Sequence, residues 1–338
     1  MKESSIIKAG EKMKALVIKK YGSPDEMKIE EVPKPIIKSN EVLIKIKAVA
    51  INDLDLGIIK GNSLINRLLA GLFRPKIHIL GSDIAGVIEE IGDSVTRFKI
   101  GDKVYGDLSD NNFGGFAEFV AADEKHIYPM AAGMPFGIAA GIPQAGMLAY
   151  QALNDFCKIT DGMSILINGA GGGVGTFVVQ MLKKHKVHLT GVDIEEKREM
   201  LLKLGYDEFL DYREIDFTEQ STQYDVIIDC KTTKSPRHYK RILKEKGIYI
   251  TIGGDIPKVL SILLMSKFFE KKYRRSFKVV VLHTNKYLPE FNKMFEEGSL
   301  TSIIDPLIFT LERGREAMAY YATGKQLGKV LIVVEEIS

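Results

Sequence analysis

Eight consecutive residues, Asn168-Gly169-Ala170-Gly171-Gly172-Gly173-Val174-Gly175, hold five glycines. A turn with so few side chains lets the backbone N–H groups of a following helix approach an anion closely, and phosphate is the anion such a turn suits. The apolar pattern SILINGA precedes it and the helical pattern VGTFVVQMLKKH follows, so the turn joins a strand to a helix. Its spacing is Ala170-x-Gly172-x-x-Gly175, a variant of the Gly-x-Gly-x-x-Gly fingerprint. Asp193 ends the next strand pattern, VHLTGVD, where a carboxylate accepts hydrogen bonds from an adenosine ribose and repels a 2′-phosphate. This combination points to a nicotinamide dinucleotide held by Ala170, Gly171, Gly172, Gly173 and Val174, with Gly253 at the end of GIYITIGG. Asp193 favours NADH. Lys197 and Tyr212, just past the second and third strands, offer a cation and a phenol that would instead hold the 2′-phosphate of NADPH.

Two kinds of pattern must position these residues. From Lys14 to about Gly133 the apolar runs are short and β-like, as in KALVIKK, EVLIKIKAVAI, AGVIEEIG, DKVYG and AEFVAA, with Gly- and Asp-rich turns between them. A folded β-barrel fits. Inside it, SLINRLLAGLFR has helical spacing and either caps a pocket or packs on the barrel. Beyond Gly133, strands alternate with helices, which implies right-handed crossovers and a doubly wound parallel sheet of the Rossmann kind. The closing GKVLIVVEE returns to strand period. The resulting division is an N-terminal extension (1–12), a first domain (13–133 and 298–338) and a dinucleotide-binding domain (134–297).

Composition narrows the partners. The chain has 338 residues, 45% of them apolar, and a formal net charge of +3, so no whole-chain field favours nucleic acid or an anionic membrane. The basic run Lys267–Lys278 reads as a solvated helix and linker, and nucleic acid is not expected as a partner. Two cysteines, Cys157 and Cys230, exclude a disulfide framework and a four-cysteine zinc site. The first twelve residues lack the pattern of a signal or transit peptide, and the run Val259–Met265 is far shorter than the roughly 20 residues a membrane span needs. The expectation is a cytoplasmic protein with no membrane partner.

The ordered segments EVLIKIKAVAINDLDL, ILGSDIAGVIEEIGDSV, KIGDKVYG, GGFAEFVAA, AGMLAYQAL, NGAGGGVG, LGYDEFLDYREIDF and GKVLIVV resemble the medium-chain dehydrogenase/reductase superfamily, in its zinc-lacking quinone oxidoreductase branch. The resemblance covers Met13 to Glu335. It implies an α/β protein with a GroES-like β-barrel domain plus a Rossmann domain, and a homodimer formed by pairing edge strands, FKVVVLH being the candidate edge. Where zinc-dependent relatives carry cysteine, histidine and cysteine ligands, this chain has Asn52, Ser82 and Ala145, and no metal site is expected.

Hydride transfer without a Lewis acid requires an electrophilic acceptor, such as a quinone or enone, or a hydrogen-bond donor where negative charge develops. The resemblance puts Asn52 in the donor role, with Asp55 as the matching aspartate. Asn52 equally suits the cap of a helical turn, and Asp55 a scaffold for it. Asp53, Gly57 and Leu148 stand where many relatives have proline, lysine and threonine, which leaves the proton donor unassigned. NAD(P)H-dependent reduction of a quinone or enone is the leading expectation. An alcohol dehydrogenase or enoyl reductase on the same scaffold is the second, and a dinucleotide-binding redox sensor without turnover the third.

Overall fold

The computed structural model describes residues 10–334, so the extension read over 1–12 lies, up to residue 9, outside the described residues. The chain divides into two compact units, one made of residues up to Met130, Ile308–Ala322 and the stretch from Leu331, the other of Ala131–Leu307 and Thr323–Val330.

In the first unit β1 (Lys12–Val17) pairs antiparallel with β2 (Lys28–Pro33). The centre is β3 (Glu41–Ala50), whose inward residues Val42, Ile44, Ile46 and Ala48 are fully buried. After β3 the chain turns through α1 (Asp53–Lys60) and α2 (Leu64–Ala70). It returns as β4 (Asp83–Ile91), β5 (Lys103–Asp107), β6 (Phe119–Asp123) and β7 (Tyr128–Pro129). The register between β3 and β4 slips between Leu43 and Ile44 and again between Ile46 and Ala48. Such bulges bend a sheet and let a short-stranded one curl. The stretch SLINRLLAGLFR does form a helix, with the Ser63 hydroxyl accepting from the Asn66 N–H at 3.0 Å. Its leucines do not pack on the barrel: Leu64, Ile65, Leu68 and Leu69 are exposed.

The second unit begins with α3 (Phe136–Ala140) and α4 (Pro143–Asn154). Its alternating part runs β8 (Ser164–Asn168), α5 (Gly173–Leu182), β9 (His188–Asp193), α6 (Arg198–Leu204), β10 (Glu208–Asp211), β11 (Tyr224–Asp229) and α7 (Pro236–Ile242). It continues through β12 (Leu243–Thr251), α8 (Ile256–Tyr273), β13 (Ser276–Val279) and α9 (Leu288–Glu296). The six strands are parallel in the order β10-β9-β8-β11-β12-β13. Ile165–Ile167 and Val226–Ile228 are buried throughout, as strands covered on both faces must be. The order reverses beside β8, which opens a crevice at the carboxyl ends of the strands on either side. The basic run Lys267–Lys278 is not a linker: it finishes α8 and supplies β13, with Phe269 and Phe277 packed 5.0 Å apart in the core.

The remaining elements are β14 (Phe309–Thr310), α10 (Gly314–Ala322) and β15 (Leu331–Val333), the last antiparallel to β3. Residues 298–307 and 323–330 lie in the second unit, although the sequence pattern groups them with the first. Reciprocal bonds join them, Asp305 N–H to the Lys329 carbonyl and Lys329 N–H to the Ile303 carbonyl, both at 2.9 Å.

Candidate functional site

The glycine turn leaves the carboxyl end of β8 beside the switch in strand order. Its approach is fixed by Asp229, which accepts from Asn168 Nδ2 at 2.7 Å, from the Lys231 and Thr232 N–H groups at 2.9 Å and from the Tyr249 hydroxyl at 2.8 Å. Gly172 is the N-cap of α5 and no side chain caps that helix. The N–H groups of its first turn, from Gly173, Val174 and Gly175, therefore lack partners within the helix and sit at the positive end of its dipole. The glycines differ in what they permit. A Cβ on Gly175 would lie 2.3 Å from the Ala170 carbonyl oxygen, so this glycine lets helix pack on turn. Tyr206 locks the same place, its buried hydroxyl donating to the Gly175 carbonyl at 3.0 Å. A Cβ on Gly172 would meet nothing nearer than the Gly169 carbonyl oxygen at 3.4 Å. Space stands open there, above an uncapped helix end, and a dinucleotide's pyrophosphate fits that combination.

Asp193 is buried at the end of β9. One oxygen accepts from the Gly171 N–H at 2.8 Å, the other from the Ile194 N–H at 3.0 Å and from Lys197 Nζ at 3.2 Å. Lys197 is itself buried, so the cation and the carboxylate that the sequence set against each other form one ion pair. The Tyr212 side chain is exposed, while its backbone N–H donates to the Asp193 carbonyl at 3.1 Å. Gly253 follows β12, and the atom nearest to a Cβ built on it is the Cys230 carbonyl oxygen at 3.9 Å.

In the first unit Asn52 and Asp55 form a capping box at the start of α1: the Asn52 side chain accepts from the Asp55 backbone, and Asp55 accepts from the Asn52 N–H at 2.9 Å. Asp55 also accepts from the Gly81 N–H at 3.0 Å, which ties α1 to the strand entering β4. Asn52 Nδ2 donates to the Ser82 hydroxyl at 3.3 Å. Asn52 and Ser82, which the sequence resemblance set at zinc-ligand positions, thus hydrogen-bond to each other. Among the described residues no cluster of three or more His, Cys, Asp or Glu side chains is placed to hold a metal.

Behind Ser82, Asp83 lies directly across from Asp107 in the β4–β5 ladder, and both are buried. Burial, reinforced by the neighbouring Asp83 charge, pushes the Asp107 carboxyl up to about 7. Sequence patterns gave no sign of this pair, because cross-strand register is a long-range property. They also missed the neighbours of Gly173, whose absent Cβ would lie 2.8 Å from Lys329 Cδ and 3.0 Å from Ala145 Cβ. Ala145 therefore packs against the glycine turn. The Gly328 N–H donates to the Gly171 carbonyl at 2.8 Å, which brings the GKQLGKV segment to the same turn. A lysine following a glycine near the C-terminus was the one local hint.

Two family models match: the alcohol dehydrogenase GroES-like domain over residues 38–132 and the zinc-binding dehydrogenase over 204–332. The chain is 31% identical to a 2-methylene-furan-3-one reductase of Solanum lycopersicum, covering 97% of this chain and 81% of that protein. It is 29% identical to a chloroplastic NADPH-dependent alkenal/one oxidoreductase of Arabidopsis thaliana, over 95% and 79%. Among solved structures, the quinone oxidoreductase from Coxiella burnetii superposes with a TM-score of 0.84 at 26% identity, covering 96% of this chain and all of that one.

Proposed function

Because the chain belongs to the medium-chain dehydrogenase/reductase superfamily, in its quinone oxidoreductase branch, we propose that it reduces a quinone or enone with hydride from NAD(P)H and without a metal. The observation that carries the metal-free part is the Asn52–Ser82 hydrogen bond at 3.3 Å, an amide and a hydroxyl where zinc would need thiolate and imidazole. Neither group fits zinc, and no step is routed through one.

When bound, the dinucleotide supplies the hydride. The backbone N–H groups of Gly173 and Val174 hold its pyrophosphate, and Ala170, Gly171 and Gly172, whose own N–H groups donate to the Val192 carbonyl, Asp193 and the Gly169 carbonyl, form the side-chain-poor turn that lets it approach, with Gly253 at the neighbouring strand end. Asn52 donates to the acceptor oxygen as negative charge develops there, and one well-placed donor in a dry site is worth roughly 2.7–4 kcal/mol. Ser82 and the capping box hold that amide in orientation. Asp55, with its carboxylate turned to backbone N–H groups, is a positioning residue. Asp193 favours NADH, and the Lys197 ammonium 3.2 Å away offsets its charge, so NADPH is accepted with only modestly lower affinity. Tyr212 contributes at the rim of the adenosine site. We further propose a homodimer through β13, the edge of the parallel sheet, and a cytoplasmic location, which suits two cysteines outside any disulfide.

Loss of NADH absorbance with a panel of quinones and enones tests the reading. Turnover with an activated acceptor, and a kcat lowered about a hundredfold in Asn52→Ala, is expected. Tight dinucleotide binding with silence toward every acceptor would instead identify a redox sensor.

A further inference from the structure

The segment from α2 to Phe73 is built to hold apolar side chains in solvent. Leu64, Ile65, Leu68 and Leu69 lie on one face of α2, and Leu72 and Phe73 continue it, with Leu68 at 68% and Phe73 at 87% exposure. The opposite face is turned inward, Ala70 being buried. The loop's polar groups are bonded within it: Arg67 Nε donates to the Gly61 carbonyl at 2.6 Å and a terminal guanidinium N–H to the Leu72 carbonyl at 3.3 Å. The Tyr21 hydroxyl donates to the Gly71 carbonyl, and the Arg67 guanidinium stacks 4.9 Å from the Tyr21 ring. This is a braced platform, and its apolar residues are more contiguous than scattered surface leucines would be.

Charge selects the occupant. Residues 56–82 contain Lys60, Arg67, Arg74 and Lys76 and no Asp or Glu, although the chain has 44 acidic residues in 338 and a run of that length would average three or four. Of the acids just before the run, Asp55 is buried and Asp53 accepts from the Tyr321 hydroxyl at 3.1 Å. Self-pairing about a two-fold axis would set this cationic segment against its own copy, a like-charge contact. Leucines and a phenylalanine flanked by lysine and arginine instead match the boundary between acyl chains and anionic headgroups. We propose that residues 64–76 form a peripheral docking surface for an anionic lipid bilayer. It lies on the bilayer without spanning it, since no helix among the described residues is long and apolar enough to cross.

The test is flotation of the full chain with phosphatidylcholine vesicles, with and without about one-third phosphatidylglycerol. Binding to the anionic vesicles that weakens as salt rises is expected. Arg74→Gln with Lys76→Gln should lower the partition coefficient about thirtyfold, taking about fivefold for each basic residue lost from the surface. Leu68→Ser, Leu69→Ser and Phe73→Ser together should abolish binding while leaving the melting temperature unchanged, because all three side chains are solvated. Failure to float with anionic vesicles overturns the proposal, as does equal binding by the triple variant. A wild-type dimer that the triple variant converts to monomer also overturns it, by making a second copy the occupant.

Discussion

Gly172→Val separates cofactor binding from folding at the glycine turn. Gly172 has φ of −84° and ψ of 177°, ordinary extended backbone that valine adopts readily. The Cβ would touch the Gly169 carbonyl oxygen at 3.4 Å, a normal contact, so the variant should fold and melt within a few degrees of the wild type. The same Cβ, with its two methyls, fills the space through which a pyrophosphate must approach the N–H groups of Gly173, Val174 and Gly175. Charge-assisted hydrogen bonds contribute about 1.5–3 kcal/mol each, so losing one or two removes roughly 3 kcal/mol and weakens NADH binding about 150-fold. Gly175→Ala is the contrast. Its Cβ would sit 2.3 Å from the Ala170 carbonyl oxygen, so helix or turn must move and the melting temperature should fall together with affinity. Calorimetric NADH titration alongside thermal melting reads both quantities. A Gly172→Val protein that binds NADH as the wild type does would refute the assignment of the turn.

Asp193→Ser removes the carboxylate that compensates Lys197 and leaves a cation in the adenosine region; the ratio of NADPH to NADH affinity should rise at least tenfold in paired titrations, and an unchanged ratio would show that the pair does not face the ribose. The Asp107 carboxyl titrates at about 7 in the fold, against 3.8 for an unperturbed aspartate. Between those values the native state holds a proton that the unfolded chain releases, so this group's contribution lowers stability as pH rises from about 4 to 7, by up to about 4 kcal/mol. Asp107→Asn should remove that slope, measured as the wild-type minus variant difference in unfolding free energy across the same range; parallel curves would contradict the buried-pair account.

The glycine turn, Asp193 and the strand–helix alternation were legible because each is local: a turn needs glycines in sequence, and a buried parallel strand needs a continuous apolar run. The cap at Asn52 and Asp55 was legible for the same reason, being a bond between residues three apart. Burial of Lys197 was not, since its four-residue spacing from Asp193 crosses a strand end and only the folded turn brings the two charges together. The approach of Lys329 to Gly173 and the opposition of Asp83 and Asp107 depend on long-range packing and register. Helical spacing in SLINRLLAGLFR was readable, but whether its apolar face turns inward depends on Arg67, Tyr21 and Gly71, which no periodicity reports.

Hydride transfer on this scaffold without a metal is tested by the rate of NADH-dependent quinone reduction before and after exhaustive dialysis against a chelator, with metal content assayed in the same samples. Protein stripped of metal should keep an unchanged rate. Activity lost on chelation and restored by zinc would contradict metal-free transfer.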